Sequence, residues 1–131
     1  MSLMAIGKLF VSASAALSGA MAAVADVVPE QPSGLMCELL AAPEKTVIKD
    51  AAPELSWIVN SAEAGDYQIA YRIRVTAGDK PVWDSGRVES DQSVSVEYGG
   101  RPLEANATYE WQVKVWTKRA GESPWSAPQR F

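Results

Sequence analysis

The segment Tyr67-Gln68-Ile69-Ala70-Tyr71-Arg72-Ile73-Arg74-Val75 indicates the fold of this chain, because apolar and polar side chains largely alternate along it. A period of two is typical of a β-strand that has one face in a core and the other toward solvent. We expect the inward side chains to be Tyr67, Ile69, Tyr71, Ile73 and Val75, and the outward ones to be Gln68, Arg72 and Arg74.

The same alternation recurs along the rest of the chain. A second long strand is predicted with Tyr109, Trp111, Val113 and Val115 on one face. Five shorter strands are predicted around Leu35–Leu39, Leu55–Val59, Val82-Trp83, Ser93–Tyr98 (with Val94 and Val96 on one face) and the final segment that ends at Phe131. Seven short strands with turn signals between them predict an all-β protein, an antiparallel seven-stranded β-sandwich of the fibronectin type III or immunoglobulin-like class.

The first 25 residues are predicted to be a secretory signal peptide. Lys8 supplies the positive charge, Leu9–Leu17 the apolar stretch, and Ala23-Val24-Ala25 the small residues of a cleavage site before Asp26. The alternative is a transmembrane anchor. Cleavage predicts an exported bacterial protein, in the periplasm, at the cell surface or secreted, with no stable membrane span in its mature form. Residues 26–34 are predicted to be a linker and residues 35–131 the sandwich.

The composition excludes several function classes. The 131 residues contain no His and one Cys, so no Ser-His-Asp triad, His-ligated metal site or internal disulfide can form. Only one of the 12 Lys and Arg residues, Lys8, lies in residues 1–25, so the remainder carries 11 basic and 16 acidic side chains, a net charge of −5. An acidic domain is a poor match for nucleic acid.

The segment Leu103–Tyr109 matches a tyrosine corner. In that motif a Tyr near the start of a strand makes a hydrogen bond through its hydroxyl to backbone a few residues upstream. We expect Tyr109 to make this bond and Leu103 to cover the core at the bend. Both residues are predicted to be structural.

Other candidate sites favour a structural interpretation. The acidic side chains Asp84, Glu89 and Asp91 could serve glycoside hydrolysis or bind Ca²⁺, but their spacing with Arg87 favours a solvated strand edge. Cys37 is expected to be a small buried hydrophobe, because no His is present to activate its thiol. No catalytic, cofactor-binding or metal-binding residue is predicted.

The Trp residues raise the question of a binding surface. Trp57 and Trp111 are expected in the core, while the sequence assigns no role to Trp83 or Trp125. Trp116 falls on the outward phase of its strand with Lys114 and Lys118, where it is predicted to stack with those cations or pack against a neighbouring domain. A carbohydrate platform is the alternative, so Trp116 is the candidate interface or glycan contact.

Residues 36–131 resemble the fibronectin type III-like domain at the N-terminus of bacterial α-L-rhamnosidases of glycoside hydrolase family 78. The matching pieces occur in the family's order: Cys37-Glu38, Pro53–Trp57, Ala70–Ile73, Val82–Val88, Ser90–Ser93, Tyr98–Gly100 with Pro102-Leu103, Tyr109–Trp116, and Ser123–Ser126 running to Phe131.

The resemblance implies a non-catalytic accessory domain that spaces or docks. In that family, acidic residues of a separate helical-barrel domain hydrolyse terminal α-L-rhamnose, so no catalytic residue carries over to this chain. The implied partners are other domains of the same polypeptide, with a rhamnose-containing glycan as a second partner to test. Two alternatives stay open at this point: a carbohydrate-binding module, and an adhesion or receptor-type fibronectin domain with no enzyme attached.

Overall fold

The computed structural model describes residues 30–45, 48 and 50–131. Within them the chain forms nine strands and one 3₁₀ helix, Pro43–Lys45. The strands are β1 (Ser33–Cys37), β2 (Glu54–Ile58), β3 (Gln68–Ala77), β4 (Lys80–Asp84), β5 (Val88–Glu89), β6 (Val96–Glu97), β7 (Glu110–Thr117), β8 (Gly121–Glu122) and β9 (Gln129–Arg130). None of the described residues belongs to a helix long and apolar enough to span a membrane.

All strand pairings are antiparallel and form two sheets. The six-stranded sheet has the order β9-β7-β3-β4, with β5 also paired to β3 and β8 to β7. The three-stranded sheet has the order β1-β2-β6. This confirms the predicted antiparallel β-sandwich, although β5 and β8, which have two residues each, were not among the seven predicted strands.

The core lies between the two sheets and is built from the inward positions of the strands. It contains Cys37, Leu55, Trp57, Tyr71, Ile73, Val75, Val96, Tyr98, Tyr109, Trp111, Val113 and Val115. Ring contacts join the sheets: Trp57 lies 5.3 Å from Tyr71 and 6.3 Å from Trp111 between centroids, and Trp83 lies 4.9 Å from Tyr98. These edge-on pairs stabilise the packing beyond the area that they bury, and they place Trp83 at the edge of the core.

The first and last strands are connected through one side chain. Gln129, in β9, accepts a hydrogen bond from the indole Nε1–H of Trp111 and donates to the carbonyl oxygens of Leu35 and Ala41. Gln129 therefore links β9 of the larger sheet to β1 of the smaller sheet.

At the start of β3 the prediction of which side chains face the core is wrong, because the alternation shifts by one residue. The pairing of β3 with β7 shifts between Gln68 and Ala70, so Ile69 is an extra residue in a β-bulge. A bulge reverses the faces on its far side. Gln68 is therefore only 4% exposed, and Tyr67, predicted to be inward, is 55% exposed.

Leu39 and Val94, which lie within predicted strands, are exposed for related reasons. β1 ends at Cys37, and Glu38 and Leu39 form a turn with positive φ, which leaves Leu39 57% exposed. Ser95 also has a positive φ, 53°, and donates its N–H to Ser56 Oγ instead of a carbonyl. This irregularity before β6 turns Val94 outward, where it is 58% exposed.

The predicted boundary between linker and sandwich also needs a correction. β1 begins at Ser33, so the last two residues of the predicted linker 26–34 belong to the smaller sheet. Ser33 pairs with Ile58, and a bulge separates this pair from Met36 and Ser56. The predicted signal peptide 1–25 lies outside the described residues and stays a prediction.

Candidate docking face

The exposed side of the six-stranded sheet carries a group of Arg, Lys, Asp, Glu and Trp side chains that contact one another. On β3 the side chains of Arg72 and Arg74 point away from the core, opposite Lys114 and Gln112 of β7. Trp125 lies over these side chains from the segment between β8 and β9. We define the outer face as Arg72, Arg74, Asp84, Arg87, Glu89, Lys114, Trp116, Glu122 and Trp125.

Two serines fix the position of Trp125. Ser123 donates its N–H to the carbonyl of Val115 and accepts the N–H of Val115 through its hydroxyl, at 2.8 and 2.9 Å. Ser126 makes the same pair of bonds with Val113, at 2.8 and 3.0 Å. Because Pro124 lacks an N–H, this segment cannot continue a regular ladder, and the serine hydroxyls satisfy the amides of β7 instead.

Three cations surround the Trp125 ring. Arg74 Cζ lies 4.0 Å from its centroid, Lys114 Nζ 4.9 Å and Arg72 Cζ 5.6 Å. Cations over an indole are attracted by its negative π-face. The ring therefore holds together positive charges that would otherwise repel each other.

Carboxylates neutralise most of these cations. Arg72 and Asp84 form a bidentate pair, with Nε–Oδ1 and Nη2–Oδ2 distances of 2.9 and 2.6 Å. The hydrogen bonds from Arg72 lower the pKa of Asp84. Lys114 Nζ lies 2.8 Å from Glu122 Oε2 and lowers the pKa of Glu122 by its hydrogen bond and charge.

Arg74 differs from the other cations of this surface. Its Nε donates to the amide oxygen of Gln112 at 3.0 Å. Ion pairs within 4.0 Å connect Arg72 to Asp84, Arg87 to Glu89 and Lys114 to Glu122, and among the described residues no such pair includes Arg74. The guanidinium of Arg74 thus rests on an indole without an ion pair in the described structure, although its charge contributes, after the hydrogen bonds and charge of Arg72, to the lowered pKa of Asp84 opposite it on β4.

Trp116 lies on the outer face as predicted from its phase, but the cation that contacts its ring is Arg87, not one of the two predicted lysines. Arg87, in the connection between β4 and β5, places its Cζ 4.8 Å from the Trp116 centroid. Lys114, one of the two predicted partners, lies over Trp125 instead. The side chain of Trp116 stands opposite Ala70, which is 0% exposed although it points to this outer side.

The tyrosine corner is present at the opposite end of β7. Tyr109 Oη accepts a hydrogen bond from the backbone N–H of Glu104 at 2.9 Å. Leu103 packs against the core at this bend. The Tyr109 and Phe131 rings lie 5.7 Å apart, and their backbones exchange two hydrogen bonds. Tyr109 therefore closes the predicted corner and also holds the segment that ends at Phe131 against the sandwich, while Leu103 covers the core at the bend.

The remaining candidates occupy structural positions. Asp84 and Glu89 are paired with arginines, and Asp91 is exposed in a connection. Cys37 is fully buried, and this burial, followed by the charges of Glu38 and Asp50, raises its pKa to about 12. Within the described part of the chain, no three His, Cys, Asp or Glu residues are grouped so that they could hold a metal ion.

Trp125 is the residue of this face that the sequence interpretation missed. The sequence feature that could have identified it is the pattern Ser123-Pro124-Trp125-Ser126, in which a serine precedes and another follows an aromatic residue. The strand period could not reveal it, because the segment follows no regular ladder.

Two antiparallel sheets with a tyrosine corner, in a chain with a single Cys, define an immunoglobulin-like sandwich domain without the inter-sheet disulfide. Residues 32–131 match the family model described as "Rha78A-like, N-terminal immunoglobulin domain". The chain belongs to this family, and the resemblance seen in the sequence is confirmed.

The similar proteins are much longer than this chain. An α-L-rhamnosidase of Streptomyces avermitilis is 48% identical over 85 residues, which cover 60% of this chain and 8% of that protein. An α-L-rhamnosidase of Formosa agariphila is 43% identical over 91 residues, 64% of this chain and 10% of that protein. The solved α-L-rhamnosidase of Dictyoglumus thermophilum aligns with a TM-score of 0.72 and 30% identity, over 79% of this chain and 12% of that one.

Proposed function

We propose that this chain is an exported, non-catalytic accessory domain that docks against and spaces the other domains of an α-L-rhamnosidase-like glycoside hydrolase. The observation that carries the proposal is the match of residues 32–131 to an N-terminal domain family, whose named relatives are α-L-rhamnosidases of which the chain spans only 8 to 10%. Export is supported by the signal pattern of residues 1–25.

The outer face supports docking more than sugar stacking. Arg74 lies over one face of Trp125, and Arg87 lies over one face of Trp116. A sugar stacked on those faces would have to displace the guanidinium groups and give up their attraction to the rings. The Trp and Arg side chains of this face are of the types enriched at protein interfaces.

The catalytic part of the proposal is tested with an aryl α-L-rhamnoside. We expect the 131-residue chain to release no aryl alcohol above the blank, while the Streptomyces avermitilis relative serves as the active control. Turnover by the isolated chain would overturn the non-catalytic assignment.

The docking part is tested in a chimera. Residues 32–131 replace the matching domain of the Streptomyces avermitilis relative, and thermal unfolding of the whole polypeptide is measured. We expect Trp116→Ala on the outer face to lower the unfolding temperature of the remaining domains, and Val94→Ser, on the other sheet's side, to leave it unchanged. Equal effects of the two variants would contradict docking through the outer face.

Two further measurements check the export and glycan components. Mass spectrometry of exported protein should find Asp26 at the N-terminus, and another N-terminus would reject this cleavage site. Titration with a rhamnose-containing oligosaccharide should leave Trp fluorescence unchanged. A saturable change that Trp116→Ala abolishes would instead favour the carbohydrate-binding alternative.

A further inference from the structure

We propose that Arg74 is the anion-binding residue of the outer face, and that it takes an Asp or Glu carboxylate presented by the protein surface on which this domain docks. The proposal rests on the proposed docking function and specifies the chemistry of the partner. Three observations carry it: the absence of an ion pair to Arg74 among the described residues, the hydrogen bonding of its guanidinium, and the arginine contacts of the Trp rings.

Arg74 is the cation of the outer face that forms no ion pair within 4.0 Å among the described residues, although its charge also helps to lower the pKa of Asp84, which is paired with Arg72. The outer face has four cations, Arg72, Arg74, Arg87 and Lys114, and three carboxylates, which pair with the other three cations. This surplus is local, since residues 26–131 have a net charge of −5. A positive site on an acidic domain attracts a partner's negative group and disfavours other orientations of approach.

The geometry leaves the correct part of Arg74 available. Its Nε donates to Gln112, and its Cζ lies 4.0 Å from the centroid of the Trp125 ring. In the described part of the molecule, no hydrogen bond within the chain uses its Nη atoms. A guanidinium binds a carboxylate best through two parallel N–H groups in its plane.

The position of Arg74 is also fixed before binding. Gln112 holds one side of the guanidinium, and Gln112 itself donates to the carbonyl of Ser126 at 2.8 Å. Trp125 supports the other side, and the two serines that flank it are bonded to β7. A side chain already ordered in the free protein loses little entropy when it binds.

The choice of a protein carboxylate over a sugar acid rests on the proposed docking function and on the rings. A glycan stacked on either outward Trp ring would share that ring with an arginine of this chain. A protein surface needs no such stacking. It can supply the carboxylate and cover the rest of the outer face with its own side chains.

The test titrates the 131-residue chain with an oligoglutamate peptide, and follows the Arg74 Nε–H and Trp125 Nε1–H signals by NMR. We expect both signals to shift with oligoglutamate and to stay in place with an oligoglutamine peptide of equal length. Arg74→Gln should weaken binding about tenfold, the loss typical of one charge-assisted hydrogen-bonded pair. Arg74→Lys keeps the charge without the planar fork and should recover only part of the affinity.

Arg101→Gln is the matched control, because Arg101 is exposed in the connection after β6. It should bind oligoglutamate as tightly as the unmodified chain does. The unfolding temperature of each variant shows whether the sandwich is intact. If Arg74→Gln does not fold, the affinity of Arg74→Lys is compared with that of the unmodified chain instead.

Unchanged binding by folded Arg74→Gln or folded Arg74→Lys would overturn the proposal, and so would tighter binding of trigalacturonate than of oligoglutamate, which would assign the site to an acidic glycan. The chimera experiment separates this result from the docking function. If oligoglutamate fails while Trp116→Ala still destabilises the chimera, docking stands and the carboxylate assignment is wrong.

Discussion

The indole Nε1–H of Trp57 in β2 donates a 3.0 Å hydrogen bond to the side-chain oxygen of Gln68 in β3, which joins the two sheets inside the sandwich. The Gln68 amide nitrogen donates to the carbonyls of Ser90 and Gln92. Gln68 therefore uses both ends of its amide, one to accept from β2 and the other to donate to the connection between β5 and β6.

Gln68→Leu should lower the free energy of unfolding by about 2 to 4 kcal/mol, because it leaves the buried N–H of Trp57 and two carbonyls without partners. Urea denaturation followed by fluorescence measures the change. Gln31→Leu, at an exposed position before β1, is the control and should change stability by less than about 0.5 kcal/mol. Similar losses in the two variants would contradict the role of Gln68.

Gly100 allows close packing of Trp83 against Tyr98. A Cβ at position 100 would clash with Tyr98 Oη and lie 2.7 Å from Tyr98 Cζ and 2.8 Å from Trp83 Cγ. Gly100→Ala should therefore destabilise the domain by about 1 to 3 kcal/mol through overpacking. At Gly99 the nearest contact would be 3.2 Å, to Trp83 Cζ2, so Gly99→Ala should cost clearly less. The midpoints of thermal unfolding test this order, and the reverse order would be inconsistent with the packing described.

Ser126 is expected to stabilise the sandwich through its hydroxyl. Ser126→Ala removes the acceptor of the buried Val113 N–H, which should cost about 1 to 3 kcal/mol. Amide hydrogen exchange at Val113 should accelerate at the same time. Ser93→Ala is the matched control, since only the backbone oxygen of Ser93 accepts a bond in the described structure. Unchanged exchange at Val113 in Ser126→Ala would argue against this role.

Asp66 should make stability depend on acid pH. Partial burial alone would raise its pKa, but hydrogen bonds from the Thr117 and Ser61 hydroxyls and from the backbone of Arg119 and Tyr67 together hold the pKa well below its usual range. A carboxyl with a lowered folded-state pKa stabilises the fold in full above its unfolded pKa, and this contribution is lost as the pH falls toward the folded value.

Asp66→Asn should therefore lower stability at neutral pH and flatten the decrease in stability below about pH 5. Asp79→Asn, in the turn between β3 and β4, should keep the pH dependence of the unmodified chain. Unfolding temperatures measured across the acid range make the comparison. A steep acid decrease that persists in Asp66→Asn would assign the pH dependence to other carboxyls.

The sequence predicted the parts of the fold that follow a regular period. Ile73, Val75, Trp111, Val113 and Val115 are buried as their alternation predicts. The errors occur where one residue breaks the register, at Ile69 in β3 and at Ser95 before β6. A bulge is set by the partner strand and by hydrogen bonds to distant residues, so a single strand's pattern does not contain it.

The candidate site was predictable only in part. The phase of Trp116 placed it on the outer face, because phase depends on its own strand alone. Its cation, Arg87, comes from a connection between β4 and β5, and Trp125 comes from a segment outside the strand pattern. The spacing of residues along one strand does not predict these cation–π contacts, because each contact joins segments that come together only in the folded sheet.

The link through Gln129 has a consequence for synthesis on the ribosome. Gln129 accepts the indole N–H of Trp111 and donates to the carbonyl of Leu35, 94 residues earlier in the chain. A nascent chain that has not yet released residue 129 from the exit tunnel lacks both bonds and the pairing of β9 with β7. Completion of the sandwich must therefore wait until residue 129 has left the tunnel, and until then the inner faces of the two sheets are incompletely covered.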